Sequence, residues 1–579
     1  MSREYDFMKN KTLTCDFCVV GGGLAGLSAA VAAAREGVKT VLVHDRPVLG
    51  GNASSEIRMW VCGARGDNRK ETGIVEEMLL ENLYANPERN YSRWDCVLYS
   101  MCRREKNLTL LLNTVCTDLT VEDNCIKSIK AYNSPAQTWY TVESKYFADC
   151  SGDSILGVLS GAELRYGREG RSEFSESIAP ETADRKTMGP SCLLQCRETD
   201  EDHDYTPPEW AYKYTDPSQF QCRDPHLEGL QNFWWIEVGG SADALHDVDM
   251  HRDELLKIAF GVFDYLKNSA ENKERYRKWT LEWVGFLPGK RESYRYVGDL
   301  IQNQNDVASG GKFDDMIAYG GWPMDDHHPD GFYYPGEPTV FHPAPSPFGI
   351  SYRTLYSRNI NNLFCAGRNI SVTHSALSST RVMATCATLG QAAGTAAALA
   401  VKYAVSPRKV GAEHIAELQN ILMENDMWLP GKRYQASGVC RSAQISCEGL
   451  RGGMNRAVDG IDESWQAQAG DSAEYRWEKP VKLQSTRLVF DSFLNRPEKN
   501  IIVLHCKDVP LCSTPVTLVK RFRLDYQDAA GAWHEVGEFD NPGQRLCKLQ
   551  LNIECAALKL TILETFGNET VKVFSWTVK

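Results

Sequence analysis

The chain of 579 residues contains no run of about 18 apolar residues, the length a membrane helix needs. The nearest approach, residues 389–404, is interrupted by Gly390, Gln391, Gly394 and Lys402. It also lacks an excess of positive charge. Against 64 Lys and Arg stand 76 Asp and Glu, a formal net charge of −12. That balance argues against nucleic acid or an anionic membrane as the main partner. Residues 1–11 are polar and charged, without the apolar centre of an export signal, and residues 1–14 read as a mobile leader. Histidine is scarce, and no second cluster complements the one place where acids and imidazoles adjoin, so no metal is expected. Cysteine is abundant instead. The 19 thiols are odd in number and scattered, which without an export signal reads as a reduced set in a cytoplasmic protein. Cys15-x-x-Cys18 has the spacing of a redox pair, but Cys18 falls in an expected buried strand, where packing is the simpler role.

What is present centres on Cys18-Val19-Val20-Gly21-Gly22-Gly23-Leu24-Ala25-Gly26-Leu27-Ser28. It reads as a short strand, a glycine turn and the start of an Ala-rich helix. Gly21, Gly23 and Gly26 stand at the G-x-G-x-x-G spacing. The first permits the tight turn, the second lets a pyrophosphate approach the backbone, and the third lets helix pack on strand. The free N–H groups at Leu24 and Ala25 then face the phosphates. A second strand over 38–44 ends at Asp45, where an acid can hydrogen-bond an adenosine ribose, and Arg46 follows it. Gly50-Gly51-Asn52 supplies another close backbone approach to a phosphate, and either Arg58 or Arg65 is expected to neutralise pyrophosphate.

A helix is expected over 72–84 and strands over 107–115, 125–133, 138–142 and 144–150, the last ending in Ser151-Gly152-Asp153. That strand end, after the glycine fingerprint and the Gly-Gly loop, resembles the two-dinucleotide-binding-domain flavoproteins. The resemblance implies that Ser151 and Gly152 approach the flavin side of FAD and that backbone near Val115 meets the adenine. Farther on, Phe364-Cys365-Ala366-Gly367-Arg368-Asn369-Ile370-Ser371 runs into Thr373-His374 and then Thr380-Arg381-Val382, followed by a helix to Tyr403 rich in Gly and Ala. This is similar to the closing flavin motif of the same superfamily, and more specifically to the FAD-dependent oxidoreductase family often met in bacterial carbohydrate-use neighbourhoods. Gly367, Arg368, Thr380, Arg381 and Val382 are the cofactor contacts it implies. Many relatives carry Asp where this chain has Arg368, so the ribityl contact passes to the backbone or Arg368 serves the pyrophosphate.

The expected fold is α/β: a Rossmann-like FAD domain in two parts, 14–166 and 348–429, an inserted α+β cap at 167–347, and a C-terminal all-β sandwich at 430–579. Within the cap, strands are expected at 191–197, 233–238 and 281–286 and a helix at 250–268. Gly320–Pro329 reads as a loop. The C-terminal alternating segments, with Ala457-Val458-Asp459-Gly460, Trp465 and Tyr475-Arg476-Trp477, resemble a discoidin-like, galactose-binding-type jelly roll, for which an interface or structural role is expected.

A flavin supplies the electron sink; the protein must supply orientation and a base. His374, between the last flavin strand and the following helix, is the expected base as a neutral imidazole, with His342 as an alternative. Arg381, Arg291 and Arg295 are candidates for holding substrate or developing charge. The reading that results is hydride transfer from a polar small molecule, a sugar or sugar-derived alcohol, to FAD. An Arg-bound carboxylate undergoing desaturation, and a flavin-fold binding protein that recognises glycan or a partner, stay open beside it. The sequence names no electron acceptor, and a homo-oligomer is admitted.

Overall fold

The computed structural model describes residues 7–229 and 231–579. Two compact units emerge. One comprises residues up to Gly63, Asn90–Ile415 and Lys499–Pro510; the other comprises Ala64–Arg89, Ala416–Glu498 and Leu511–Lys579. The exchange of residues 64–89 and 499–510 between the two has no counterpart in the boundaries expected from composition.

The first unit is built on a mostly parallel sheet. Strands β1 (Lys9–Val20), β2 (Thr40–Val43) and β3 (Leu108–Leu111) lie side by side, and β6 (Thr138–Asp149) pairs with the other edge of β1. The first half of β6 joins a meander with β5 (Cys125–Asn133) and β4 (Thr114–Glu122); its last three residues instead pair with the strand Leu363–Cys365. The apolar, β-branched runs at Val19–Val20 and Val41–Val43 are those of strands buried on both faces. Residues 138–149 form one strand rather than two. Lys9–Thr14 belong to β1, paired with β6 from Thr138 onward, so the leader expected over 1–14 is corrected there; residues 1–6 lie outside those described.

Helix α1 (Leu24–Arg35) is buried along all but its last residue, because it lies between the sheet and the helix Met383–Tyr403. Their contact is possible only through glycine. A Cβ on Gly390 would stand 1.9 Å from the Ala25 carbonyl oxygen, and one on Gly394 2.1 Å from that of Ala29. The Met383–Tyr403 helix is apolar and long enough to cross a bilayer, yet 94% of its apolar window is buried inside the structure.

The cap carries a helix, Val248–Asp264, over the antiparallel strands Leu194–Glu198 and Trp279–Val284, around an aromatic core that includes Phe220, Phe233, Trp235 and Phe332. Residues 233–238 do not form the expected strand: Phe233 has a φ of +56°, and only Glu237 bridges to Ser191. Gly320–Pro329 is not a loop throughout, since Met324–His327 pairs with Thr339–His342 as a hairpin.

The second unit is an all-β sandwich with flanking helices. Its antiparallel sheet is organised on two long strands, Ser472–Phe490 and Leu546–Thr565, which bend at bulges after Arg476 and Leu483. Buried ion pairs tie it together: Arg545 Nε lies 2.8 Å from Asp426, and Arg496 lies 2.6 Å from Glu76. All the cysteines are free thiols.

Candidate active site

Parallel strands end on the same side, so the C-terminal ends of β1, β2, β6 and Leu363–Cys365 bring four turns together. They contain Gly21–Gly23, His44–Gly51, Cys150–Asp153 and Ala366–Arg368. Ligands of open α/β sheets bind in this crevice. Gly21 takes a φ of +104° against the Cys150 backbone, and Gly26 could carry no side chain, since its Cβ would meet the Gly21 carbonyl at 1.8 Å. Other glycines leave room rather than filling it. A Cβ on Gly23 would meet nothing nearer than the Gly51 Cα at 3.9 Å, and one on Gly367 nothing nearer than 3.5 Å. Gly50 bridges to Gly23, which brings the two phosphate loops edge to edge. The N-terminus of α1 has no side-chain cap, so no side chain occupies the first amides of the helix, where an anion is favoured.

The other expected contacts fall around this cradle. Asp45 is half-exposed at the end of β2, with Arg46 beside it. Asn113 and Thr114 donate to the carbonyls of Arg46 and His44, which ties the start of β4, with Val115, to the segment that follows β2. Ser151 donates to Asp149 at 2.6 Å. Asn52 is tied to the Lys290 carbonyl at 3.0 Å. Arg368 does not stand free: it and Lys290 each lie 2.8 Å from Asp153, whose carboxyl is raised by burial but brought below the ordinary range by these two cations. Arg58 departs from its expected role. Its guanidinium lies 4.2 Å from the ring centroids of both Tyr91 and Trp283, a cation–π sandwich that commits it to packing.

The fit to FAD rests on what this crevice leaves open. Besides the glycine cradle, the buried atoms Arg368 Nε, Asn369 Oδ1, Thr380 Oγ1 and Arg381 Nε have no hydrogen-bond partner in the protein. All four belong to the segment that follows the Leu363–Cys365 strand, and the Met383–Tyr403 helix begins at Val382 without a side-chain cap. Buried polar atoms normally find partners, so this cluster marks where a polar group is to be received.

Beside the cradle sits a dense set of charges. The short helix His374–Thr380 is capped by Thr373, and Glu169 accepts the His374 amide at 2.8 Å. Acids at a helix N-terminus are favoured there. The His374 ring is held at both nitrogens: Nδ1 lies 2.9 Å from Glu292 Oε2 and Nε2 lies 3.1 Å from Asp326 Oδ1. Burial alone would drive its pKa down, but the two carboxylates overturn that and hold it up at about 10. His374 is therefore an imidazolium at neutral pH, and the neutral base expected from sequence is corrected. Burial likewise pulls the Asp326 carboxyl up, and His374 more than offsets this, holding it below the ordinary range. Asp326 is the open end of the triad, with 23% of its side chain exposed, whereas Glu292 is fully buried.

A second triad lies on the other side of the Met324–His327 strand. His327 Nδ1 is 2.6 Å from Glu237 and its Nε2 is 3.4 Å from Asp325. Arg381 donates to the backbone and carboxylate of Asp325, and Arg291 sits 3.3 Å from Glu237 while donating to Gly189, Ser191 and Trp234. Arg295 is wholly buried against Glu169 at 3.2 Å, with Glu292 at 3.7 Å. His342 stands apart, half-buried across from Met324 at the hairpin end. Among the described residues no set of three His, Cys, Asp or Glu side chains is arranged to hold a metal ion.

Sequence reasoning passed over the acids. Glu292 follows Arg291 directly and Asp326 lies within Gly320–Pro329, but only pairing across the fold shows that both reach one imidazole.

A Rossmann-type crevice with a glycine cradle, an uncapped helix end and a cluster of unpartnered buried polar atoms defines an FAD-binding oxidoreductase. Comparison with known proteins agrees. The profile of the "FAD dependent oxidoreductase" family matches residues 16–422, and the chain belongs to that family. A 4-oxocyclohex-2-ene-1-carboxylate 5-dehydrogenase from Sinomonas cyclohexanicum is 38% identical over 86 residues, 14% of each chain, so the match spans about a seventh of that relative. Among solved structures, a geranylgeranyl bacteriochlorophyll reductase-like protein from Thermoplasma acidophilum is similar at 13% identity and a TM-score of 0.32, over 72% of this chain and 85% of that one. A family 32 carbohydrate-binding module of Streptococcus pneumoniae EndoD is similar at 16% identity and a TM-score of 0.19, over 23% of this chain and 84% of that one.

Proposed function

We propose that this FAD-dependent oxidoreductase oxidises a hydroxyl-bearing carbon of a neutral, polar small molecule, a sugar or sugar-derived alcohol, to a carbonyl. The observation that carries the reading is the pairing of every candidate substrate-binding arginine with an acid. Arg291 faces Glu237, Arg295 faces Glu169, and Arg381 faces Asp325. An arginine already set against a carboxylate is a poor receptor for a second one, because the added anion would have to displace the first. The 86-residue relative acts, by its name, on a carboxylate; a site of that kind calls for an unpaired cation, which none of these three arginines supplies.

Bound FAD supplies the acceptor for the hydride that leaves the carbinol carbon. The hydroxyl proton goes to the Asp326–His374–Glu292 triad. Asp326 is ionised, and as the one part-exposed carboxylate of the triad it is the group placed to take that proton. Asp326, its open end, receives that proton from the hydroxyl. His374, held by Glu292, fixes the receiving oxygen and spreads the charge. Atoms balance: the C–H electron pair leaves with its hydrogen as hydride, the O–H hydrogen leaves as a proton, and a C=O bond forms.

Incubating the FAD-loaded protein with an artificial electron acceptor and a panel of sugars, polyols and hydroxy acids tests the proposal. New carbonyl products from the neutral compounds support it. Products from carboxylates alone would move the substrate to the arginines and the reaction to desaturation.

A further inference from the structure

His44 directly follows β2, one residue before Asp45, and it is buried. Its backbone is fixed on both sides, the amide donating to Leu111 and the carbonyl accepting from Thr114, each at 2.8 Å. The ring therefore enters the cofactor crevice from a position set by the sheet. There it meets both phosphate loops. The Gly22 amide donates to Nδ1 at 2.9 Å, and Nε2 lies 2.9 Å from the Val48 carbonyl.

These two contacts determine the tautomer. A carbonyl only accepts, so Nε2 carries the hydrogen. An N–H pointing at Nδ1 requires a lone pair there. Asp45 Oδ1, on an exposed side chain, is 3.2 Å from the same nitrogen and so farther from it than the Gly22 amide at 2.9 Å.

The glycine turn needs such a fixture. Gly21, Gly22 and Gly23 in series, with Gly50 and Gly51 opposite, are the residue type with the most backbone freedom to lose, and ordering them costs entropy that a bound phosphate would otherwise have to offset. Gly22 has both peptide groups engaged: its amide on His44 and its carbonyl on the Gly50 amide at 2.9 Å. The His44 ring and Leu49 also fill the space beside it, since a Cβ on Gly22 would lie 2.6 Å from His44 Cγ and 2.7 Å from Leu49 Cδ2. With Gly22 locked, the turn that leads into the first amides of α1 is held in place.

We infer that His44 is a positioning residue for FAD: through the lone pair on Nδ1 it holds Gly22, and through the Nε2 hydrogen it holds Val48, so that both phosphate loops are set before the cofactor arrives. It does not touch the cofactor. Its effect is on the affinity of the apoprotein, by pre-organisation.

The experiment is FAD titration of full-length apoprotein, followed by flavin fluorescence, with His44→Leu and His44→Asn beside the wild type. Leucine fills the ring's volume without an acceptor. Asparagine returns an oxygen acceptor at the Nδ1 position. The expected results are a Kd for FAD raised about tenfold or more in His44→Leu and within about threefold of wild type in His44→Asn, with similar apoprotein melting temperatures. Unchanged affinity in His44→Leu would overturn the inference and leave His44 as a packed core residue. Equal weakening in both variants would overturn the acceptor role. If His44→Leu fails to fold, His44→Asn decides alone: near-wild-type affinity supports the inference, and a tenfold loss contradicts it.

Discussion

Asp325 and Asp326 are adjacent in one strand yet serve different imidazoles: Asp325 lies 3.4 Å from His327 and Asp326 lies 3.1 Å from His374. Successive strand residues point to opposite faces, so one short element carries two acid–imidazole–acid triads back to back. Only the His374 triad has a carboxylate with substantial exposure at its end. That asymmetry is the reason the proton of the substrate is assigned to Asp326.

Replacing Asp326 by Asn, or His374 by Gln, is expected to slow reduction of the flavin by substrate roughly 10²-fold or more while leaving FAD bound, because neither residue belongs to the glycine cradle. Single-turnover reduction, with FAD stoichiometry measured on the same samples, checks both halves of the statement. Full-rate reduction by Asp326→Asn would remove it as the proton acceptor.

The pH dependence has a definite sign. A neutral imidazole base would lose activity below about pH 6.5. An imidazolium clamped between acids gives no loss there, so the reductive rate should stay level from neutrality down past that point. For stability, His374 is raised from 6.5 to about 10 in the fold. Its stabilisation is fully present below about pH 6.5 and fades as pH rises through about 10. Thermal unfolding followed between pH 6 and pH 10.5 should show a steeper decline in wild type than in His374→Gln.

Gly390→Val is expected to destabilise the first unit by roughly 1–3 kcal/mol or more, since even its Cβ would overlap the Ala25 carbonyl at 1.9 Å. The helix pair would have to separate just behind the phosphate cradle. A lower melting temperature together with weakened FAD retention is the result to look for.

In the second unit, Arg545→Met would leave Asp426 buried without its cation. Breaking a buried pair at one end costs about 3–5 kcal/mol, which urea unfolding can read directly. The double change Arg545→Met with Asp426→Asn removes the orphaned charge, keeps a residue that tolerates the φ of +62° at this position and should recover part of the loss.

Much of this was legible in the sequence, because the glycine fingerprint is local chemistry. The spacing of Gly21, Gly23 and Gly26, the acid at Asp45 and the Gly-Gly pair at Gly50 fixed a strand–turn–helix–strand unit before any tertiary contact was known. The closing segment from Gly367 to Val382 was equally readable as a motif. What could not be read was pairing at long range. Glu292 and Asp326 lie 82 and 48 positions from His374, and nothing local ties either to it. Arg58 illustrates the same limit: placed near the phosphate loops it looked like a phosphate ligand, but Tyr91 and Trp283, from distant parts of the chain, enclose it. The strand expected at 233–238 failed for a related reason. Its apolar residues were right for burial, but they fill the aromatic core of the cap from an irregular turn rather than from a sheet.

The most direct measurement mixes the FAD-loaded protein anaerobically with neutral sugars and polyols in one series and with hydroxy and dicarboxylic acids in another, following the absorbance of oxidised flavin. The account predicts bleaching by a neutral, hydroxyl-bearing compound, and little by carboxylates of similar size. Bleaching by carboxylates alone would contradict it and would show that one of the paired arginines opens to receive substrate.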